Sequence, residues 1–150
     1  MPPKFTLQPV LDYRETRVEI LEIELGRLLQ AQKRCLTFLE ALNSSRDRIL
    51  SELGKKQTGE IDLYMIARLH ANLELVNERI QEQQTRLNEI NRQIYEKQQE
   101  IIHAKQDAEA LVKLKEHEIE RFKKEEAKKE NRLQDDIYIA RAYHHSNGVA

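Results

Sequence analysis

The sequence lacks most of the side chains from which a compact core is built. Its 150 residues include no tryptophan and only 5% aromatic residues, and 39% are hydrophobic, whereas an average soluble domain is about 45–50% apolar. The mean hydropathy is -0.75. Too few large apolar side chains are present to fill a globule of this length, so the composition favours a fold that needs only one apolar seam.

Cysteine, excess charge and long hydrophobic runs are also scarce. The single cysteine, Cys35, cannot form a disulfide within the chain, which favours a reducing, cytoplasmic setting. Twenty-five Lys and Arg residues against 26 Asp and Glu residues leave a formal net charge of -1, which provides no positive field for nucleic-acid binding. No stretch suits a signal peptide or a membrane-spanning helix, so we expect no direct membrane insertion.

Proline and glycine are rare, and their positions predict the topology. All three prolines lie at or before Pro9, and Gly54 and Gly59 bracket the one interior stretch that suits a turn. Gly26 lies in a periodic segment, where it costs about 1 kcal/mol relative to alanine without breaking a helix. The predicted single, elongated domain has a first helix over about 6–53, a loop over 54–60, a second helix over about 61–143 and a flexible tail over 144–150.

Both predicted helix starts carry entry signals. Thr6 and Asp62 are residue types that cap the first turn of a helix. Phe5 precedes the first capping residue. Ile61 precedes the second, and Ile66 follows it at the spacing of a hydrophobic staple, in which the two side chains pack together. The prediction is therefore that each helix begins at a capped, stapled turn.

A heptad pattern runs along both predicted helices. Alternate steps of three and four from Leu11 to Leu53 meet thirteen positions, ten of them apolar. The same steps from Ile66 to Leu111 meet fourteen positions, twelve of them apolar. The polar exceptions are Arg14, Gln32 and Arg46 in the first run and Gln83 and Lys97 in the second. This repeat predicts an all-α fold, an antiparallel two-stranded coiled-coil hairpin. We call the positions of the two runs the seam.

The second helix is predicted to extend past the first. If the chain folds back over 54–60, facing residues have numbers that sum to roughly 114, because a short loop makes the helices antiparallel neighbours. A C-terminal helical overhang of about 40 residues, from Ala104 to Tyr143, is then roughly 60 Å long. The apolar spacing slips between Leu111 and Phe122, as a stutter would cause.

The predicted overhang has two kinds of composition. The run KKEEAKKENR over residues 123–132 has the i,i+4 charge pairs of an exposed helix. The end over residues 135–143 is apolar and aromatic, which indicates a docking surface on a helix without a partner.

Candidate catalytic residues form no constellation. The GKKQTG stretch after Leu53 lacks the Lys-Ser/Thr end of a phosphate-binding loop, and Cys35 lies on the seam, where it is a small core residue. The histidines His70, His103 and His117 share no ligand spacing, and the carboxylates lie on solvated helix faces. We expect no enzyme activity, no cofactor and no metal site.

Three alternatives remain open from the residues alone. A plain structural or tethering coiled coil would homodimerise through its heptads, and light scattering would show a parallel dimer instead of a folded-back monomer. A metalloprotein would need the adjacent His144 and His145, which point about 100° apart in a helix. A membrane-surface role for the basic, partly amphipathic stretch over residues 111–129 is weakened by its interspersed glutamates.

Three stretches resemble the FliJ family of flagellar type III export proteins. They are FTLQPVLDYRE over residues 5–15, GEIDLYMIARLHANLELV over residues 59–76, and LVKLKEHEIERFKKEEAKKENRLQDDIYIAR over residues 111–141. The resemblance implies a coiled coil similar to the central stalk of rotary ATPases. Such a stalk lies in the hexameric export ATPase, reaches toward the cytoplasmic domain of the export gate, and is cytoplasmic and peripheral at the inner-membrane export apparatus. The family also implies escort of export chaperones, which leaves a cargo chaperone that acts without the ATPase as a further alternative.

The resemblance also implies two sets of contact residues. Contacts with the ATPase ring come from the end where the helix termini meet, and the candidates are Arg14, Lys124, Arg132, Asp135, Asp136 and Arg141. Contacts with the export gate lie near the loop, and the candidates are Leu42, Ile49, Leu69, Leu73 and Val76, which are also seam positions. Ser45 and Asn72 stand where some members of the family have bulky aromatic residues.

Overall fold

The computed structural model describes residues 4–57, 59–60 and 62–147. Two long helices pack against each other: α1 spans Gln8–Lys56 and α2 spans Leu63–Asn147. The predicted all-α fold of two paired helices is confirmed.

The turn between the helices lies a few residues later than predicted. Gly54 stays inside α1, where no heavy atom lies within 4 Å of the position that a Cβ would take. Gly59 has a φ of 103°, a left-handed conformation that glycine adopts without steric cost. Because Lys55 and Lys56 extend α1 beyond Leu53, the predicted loop of 54–60 is shifted toward the C-terminus.

The two helix starts differ from each other. Asp62 caps α2, since its Oδ1 accepts hydrogen bonds from the backbone amides of Tyr64 and Met65, at 3.1 and 3.4 Å. At the start of α1 the Gln8 amide donates to the Phe5 carbonyl at 3.0 Å, so a backbone bond closes the first turn. The predicted packing of Ile61 lies outside the described residues.

The end of α2 also differs from the prediction. Residues 144–147 were expected to begin a flexible tail, but α2 continues through them to Asn147. The reason is local, because no glycine or proline interrupts the chain between Gly59 and Gly148. His144 and His145 lie in the last turn, where basic groups suit the helix C-terminus.

Contacts divide the chain into two units, which we describe separately. Unit 1 comprises the residues up to Arg17 and those from His103 onward, and unit 2 comprises residues 18–102.

Unit 2 is held together by the predicted seam. Every seam position in it is buried or half-buried. Its central cluster consists of five buried side chains, with partly buried hydrophobic residues packed against them: Cys35, Leu39, Leu87, Ile90 and Ile94. Leu21 is the most completely buried large side chain, at 2% exposure. The heptad spacing therefore places the core of unit 2 correctly.

Polar contacts across the unit 2 seam show that the two helices run antiparallel. Lys97 Nζ lies 2.8 Å from Glu24 Oε2, and Gln32 Nε2 donates to Asn91 Oδ1 at 2.8 Å. The numbers of these paired residues sum to 121 and 123 instead of the predicted 114. The difference follows from the later turn.

Unit 1 pairs the start of α1 with α2 farther along than expected. Lys115 Nζ donates to Gln8 Oε1 at 2.7 Å, and Arg14 Nη1 lies 3.5 Å from Asp107 Oδ2. Phe5 is buried as well. The prediction that the overhang of α2 begins at Ala104 is therefore wrong, because α1 packs against α2 beyond that residue.

The predicted stutter is also wrong. Half-buried positions continue in steps of four and three from Leu111 through Lys115 and Glu118 to Phe122. The pattern was hidden because two of these positions carry a lysine and a glutamate. The stretch of α2 without a partner begins at Lys123, and all residues from there to Ser146 are exposed.

Candidate binding surfaces

The exposed end of α2, residues 123–146, is a helix on which every residue is exposed. Its 24 residues are about 36 Å long. Its first part is rich in Lys, Glu and Ala, which are strong helix formers. Lys124 Nζ lies 3.8 Å from Glu120 Oε1 at the i,i+4 spacing, which supports a solvated helix. Local propensity and charge pairs therefore maintain this segment.

Large apolar side chains lie exposed on the same segment. Leu133 and Ile137 are 61% and 43% exposed, and their i,i+4 spacing puts them on one side of the helix. Tyr138, Ile139 and Tyr143 are 63–74% exposed. A cluster of five exposed large apolar residues is unusual for a solvated helix and indicates a binding surface.

The structure brings together most of the predicted ring residues. Arg132 and Asp136 lie one turn apart on one side of the exposed end of α2, and Lys124 and Asp135 both lie at the same edge of that side. Arg141 is nine residues after Arg132 and therefore lies on the opposite side of the helix.

Arg14 lies apart from the other predicted ring residues. Its guanidinium contacts Asp107, and its side chain is 43% exposed. Asp107 precedes Lys124 by 17 residues on α2, which is about 25 Å along the helix axis. Arg14 therefore belongs to the seam of unit 1 and not to the exposed end of α2.

A groove at the start of α1 was missed by the sequence reasoning. This groove is a cavity of about 1000 Å³. It is lined by Phe5, which precedes α1, by Pro9 in α1, and by Ile119 and Phe122 on α2. Lys4, Lys115 and Lys123 also line it, together with Gln8, Asp12 and Glu118. The signal was present as two aromatic residues at matching ends of the heptad runs, but the assumed stutter separated them.

The predicted gate residues face into the seam of unit 2. Leu42 and Leu69 are each 7% exposed, and Ile49, Leu73 and Val76 are half-buried. These five side chains pack between the helices and offer little surface to a partner.

Exposed apolar residues lie close to these seam positions. Phe38 on α1 and Leu75 on α2 are 45% and 46% exposed. Phe38 also lines a shallow pocket of about 380 Å³ with Cys35, Gln83, Ala31, Arg34 and Arg86. The heptad pattern marks only the buried positions, so it does not reveal these exposed residues.

Cys35 is a structural residue at the base of that pocket. It is 4% exposed, and its Sγ lies 3.4 Å from the Gln83 carbonyl oxygen and 3.4 Å from Gln83 Oε1. The side chain packs in the central cluster of unit 2 with Leu39 and Leu87, where a thiol serves as a small hydrophobic group. Its geometry suits packing and weak hydrogen bonding.

The ion pairs of unit 2 lie within α2 and between α2 and α1, and their role is structural. The hydrogen bond to Glu24 raises the pKa of Lys97, and the neighbouring carboxylate of Glu100 adds to this effect. Arg92 pairs with Glu89 and Glu96 on the exposed side of α2, and its hydrogen bond lowers the pKa of the Glu89 carboxyl. These shifts arise from ion pairs and stabilise the charged forms of their groups.

No group of three or more His, Cys, Asp or Glu side chains suited to a metal ion occurs in the part of the chain that the structure describes. His144 and His145 are exposed on adjacent positions of α2. None of the helical segments over the described ranges is both long and apolar enough to span a membrane.

Comparison with known proteins identifies the family. The family described as Flagellar FliJ protein matches residues 3–148. No curated protein and no solved structure gives a significant match. The match spans nearly the whole sequence and agrees with the paired helices. The chain therefore belongs to the FliJ family, whose members are components of the flagellar export apparatus.

Proposed function

We propose that this protein is a non-enzymatic part of the flagellar export apparatus that binds the hexameric export ATPase as the central stalk of a rotary ATPase does. In this role it promotes the assembly and activity of the ring and couples it to the cytoplasmic domain of the export gate. The observation that carries the proposal is the exposed end of α2, where all 24 consecutive helical residues from Lys123 to Ser146 are exposed.

The exposed end of α2 has the surface that insertion into a protein ring requires. Leu133, Ile137 and Tyr138 expose apolar area, whose removal from water favours association by about 25 cal/mol per Å². The charges of Arg132 and Asp136 can pair with each other at i,i+4 spacing or with groups on a partner. Apolar residues on several sides of the helix suit a binding site that encloses it.

For the export gate, we propose that the predicted seam residues act indirectly. Leu42, Ile49, Leu69, Leu73 and Val76 hold the two helices of unit 2 together. Their exposed neighbours Phe38 and Leu75 make the contact, since only exposed side chains gain from burial against a partner.

Coupling needs contacts that differ between the states of the ATPase. A stalk changes the ring equilibrium only to the extent that it binds one state better than another. In this proposed role the protein acts on the cytoplasmic side of the inner membrane and peripherally to it, and the escort of export chaperones is a further part of the role. No nucleotide, cofactor or metal enters it.

The rival function, a parallel homodimeric coiled coil, uses the same heptad seam. In this chain, Leu39, Leu87 and Ile94 of the seam pack within one molecule. The observed pairing therefore favours the stalk over a dimer formed through the seam.

Binding of the intact chain to the export ATPase tests the proposal. The variant Leu133→Asp/Ile137→Asp removes apolar area from the exposed end of α2 without touching the seam, and we expect it to weaken co-purification by more than about tenfold. The matched control is Ile20→Asp/Ile23→Asp, which changes two isoleucines that are 43% and 59% exposed in unit 2. Equal binding by both variants would show that the ring does not contact this end.

A further inference from the structure

One face of unit 2 lacks charge along its centre. The heptads place a row of leucines on α1 beside a row of amides on α2, and we name these the neutral face: Leu29, Leu36, Leu50, Asn77, Gln84 and Asn91. In a chain that is 34% charged, such a stretch is unusual. It is distinct from the seam and from the exposed end of α2.

A hydrogen bond joins the two rows into one surface. On α1, Leu29 lies three residues before Gln32 and Leu36 lies four residues after it. Gln32 Nε2 donates to Asn91 Oδ1 on α2 at 2.8 Å. The three leucines remain 44–49% exposed. Gln84 is exposed as well and donates to the side chain of Asn88, at 3.3 Å. The neutral face therefore presents both apolar area and amide groups to its surroundings.

We propose that the neutral face binds a second copy of this chain, in a side-by-side dimer of paired helices. A twofold dimer brings the same patch of both molecules together. Each Asn or Gln side chain carries both donors and an acceptor, so a row such as Asn77, Gln84 and Asn91 is complementary to itself. A row of like charges would instead repel its copy.

The surrounding charges fit this assignment. The rim on α1 is charged and exposed, and it consists of Lys33, Glu40 and Asp47. Each of these residues is three or four positions from a leucine of the row and lies farther around the helix from the seam. Protein interfaces typically have few charges at their centre and a polar rim. The opposite face of unit 2 carries Arg34 and Arg86 next to Phe38. Its centre is therefore charged, unlike that of the neutral face.

The size of the neutral face suits a weak dimer. From Asn77 to Asn91 on α2, and over the longer leucine row from Leu29 to Leu50 on α1, it is about 20 to 30 Å long. Two helices with side chains are together about 20 Å wide, so the patch covers roughly 400 to 600 Å² on each molecule. That area corresponds to a weak, reversible interface, below the approximately 800 Å² per partner of a standard one.

Sedimentation velocity and light scattering of the intact chain over a concentration series test the proposal. We expect the mass to rise from 17.8 kDa toward twice that value between about 10 µM and about 1 mM, as a weak interface requires. The variant Leu36→Glu/Gln84→Glu places like charges on both copies and should weaken association more than about tenfold. The control Phe38→Glu/Gln93→Glu places the same charges on the opposite face and should leave it unchanged.

Mixing provides the second readout. The variant Leu36→Lys/Gln84→Lys should also be monomeric alone, and should associate with the glutamate variant because opposite charges then meet. Circular dichroism checks that all variants keep their helices. A monomeric wild-type chain at every concentration, or a dimer that the neutral-face variants leave intact, would overturn the proposal. The proposed function assigns ATPase binding to the exposed end of α2, so neutral-face variants that still bind the ring separate this result from the proposed function.

Discussion

Lys97 Nζ lies 2.8 Å from Glu24 Oε2, and this ion pair crosses the seam of unit 2 at a position where the heptad pattern calls for an apolar side chain. The lysine side chain is 20% exposed and also lies 3.4 Å from Glu100 Oε2. Its aliphatic stem stays in the seam while its ammonium group reaches the edge. A polar seam residue with a specific partner fixes the register of two helices, so this pair helps to set which residues of α1 and α2 face each other.

The Glu24→Gln variant tests the contribution of this pair. We expect the free energy of unfolding to fall by about 1 kcal/mol at neutral pH, because a partly exposed ion pair loses its charge-assisted hydrogen bond. The pKa of Lys97 is raised in the folded state, so its contribution is fully present below the unfolded value of about 10.4 and is lost as pH rises through the folded value. Urea denaturation at several pH values should show the variant and wild type converging in that alkaline range. A Glu19→Gln control should show no such difference, and a constant gap across pH would contradict the assignment.

Burial along the seam predicts a contrast between two neighbouring residues of α1. Leu21 is 2% exposed and Ile23 is 59% exposed. We expect Leu21→Ala to lower the free energy of unfolding by about 3 kcal/mol, and Ile23→Ala by less than about 0.5 kcal/mol. Thermal or urea unfolding measures both, and similar losses would mean that the seam faces another direction.

Hydrogen exchange should divide α2 at Phe122. Residues 123–146 make no seam contacts, and the backbone hydrogen bonds of a solvated helix open locally. We therefore expect their amides to exchange much faster than those near Leu87, Ile90 and Ile94 in the unit 2 core. Adding the export ATPase should slow exchange in residues 123–146. Uniform protection along α2 in the free protein would contradict the absence of packing there.

Gate binding should separate exposed residues from seam residues. Phe38→Ala should weaken binding to the cytoplasmic domain of the gate and leave the unfolding free energy nearly unchanged, because Phe38 is 45% exposed. Leu42→Ala should lower stability by about 2 to 3 kcal/mol, because its side chain is buried. Calorimetric binding beside urea unfolding checks both, and wild-type binding by the Phe38 variant would exclude that surface.

The sequence predicts the pairing of the helices well, since a heptad pattern reports which side of a helix is buried. Two details escape it for physical reasons. The sequence predicts that the turn starts at Gly54, but a single glycine costs only about 1 kcal/mol in a helix, which the surrounding residues offset. Lys115 and Glu118 hid the continuation of the seam because a half-buried position tolerates a long polar side chain that reaches solvent.

The binding surfaces are harder to predict from the sequence. Leu42 and Phe38 are both apolar, and only the register of the two helices decides which one is exposed. The groove beside Phe5 and Phe122 needs the correct pairing of the helix ends, and an error of a few residues in the turn removes it. Family resemblance supplies partners but not the orientation of individual side chains.

The most direct test of the central claim is a titration of the export ATPase with the intact chain and with a chain that ends at Phe122. This truncation removes only the exposed end of α2 and leaves the seam contacts of Leu111 and Phe122 in place. The account predicts that the shortened chain remains folded but loses both binding to the ATPase and stimulation of ATP hydrolysis. Binding and stimulation equal to those of the intact chain would contradict it.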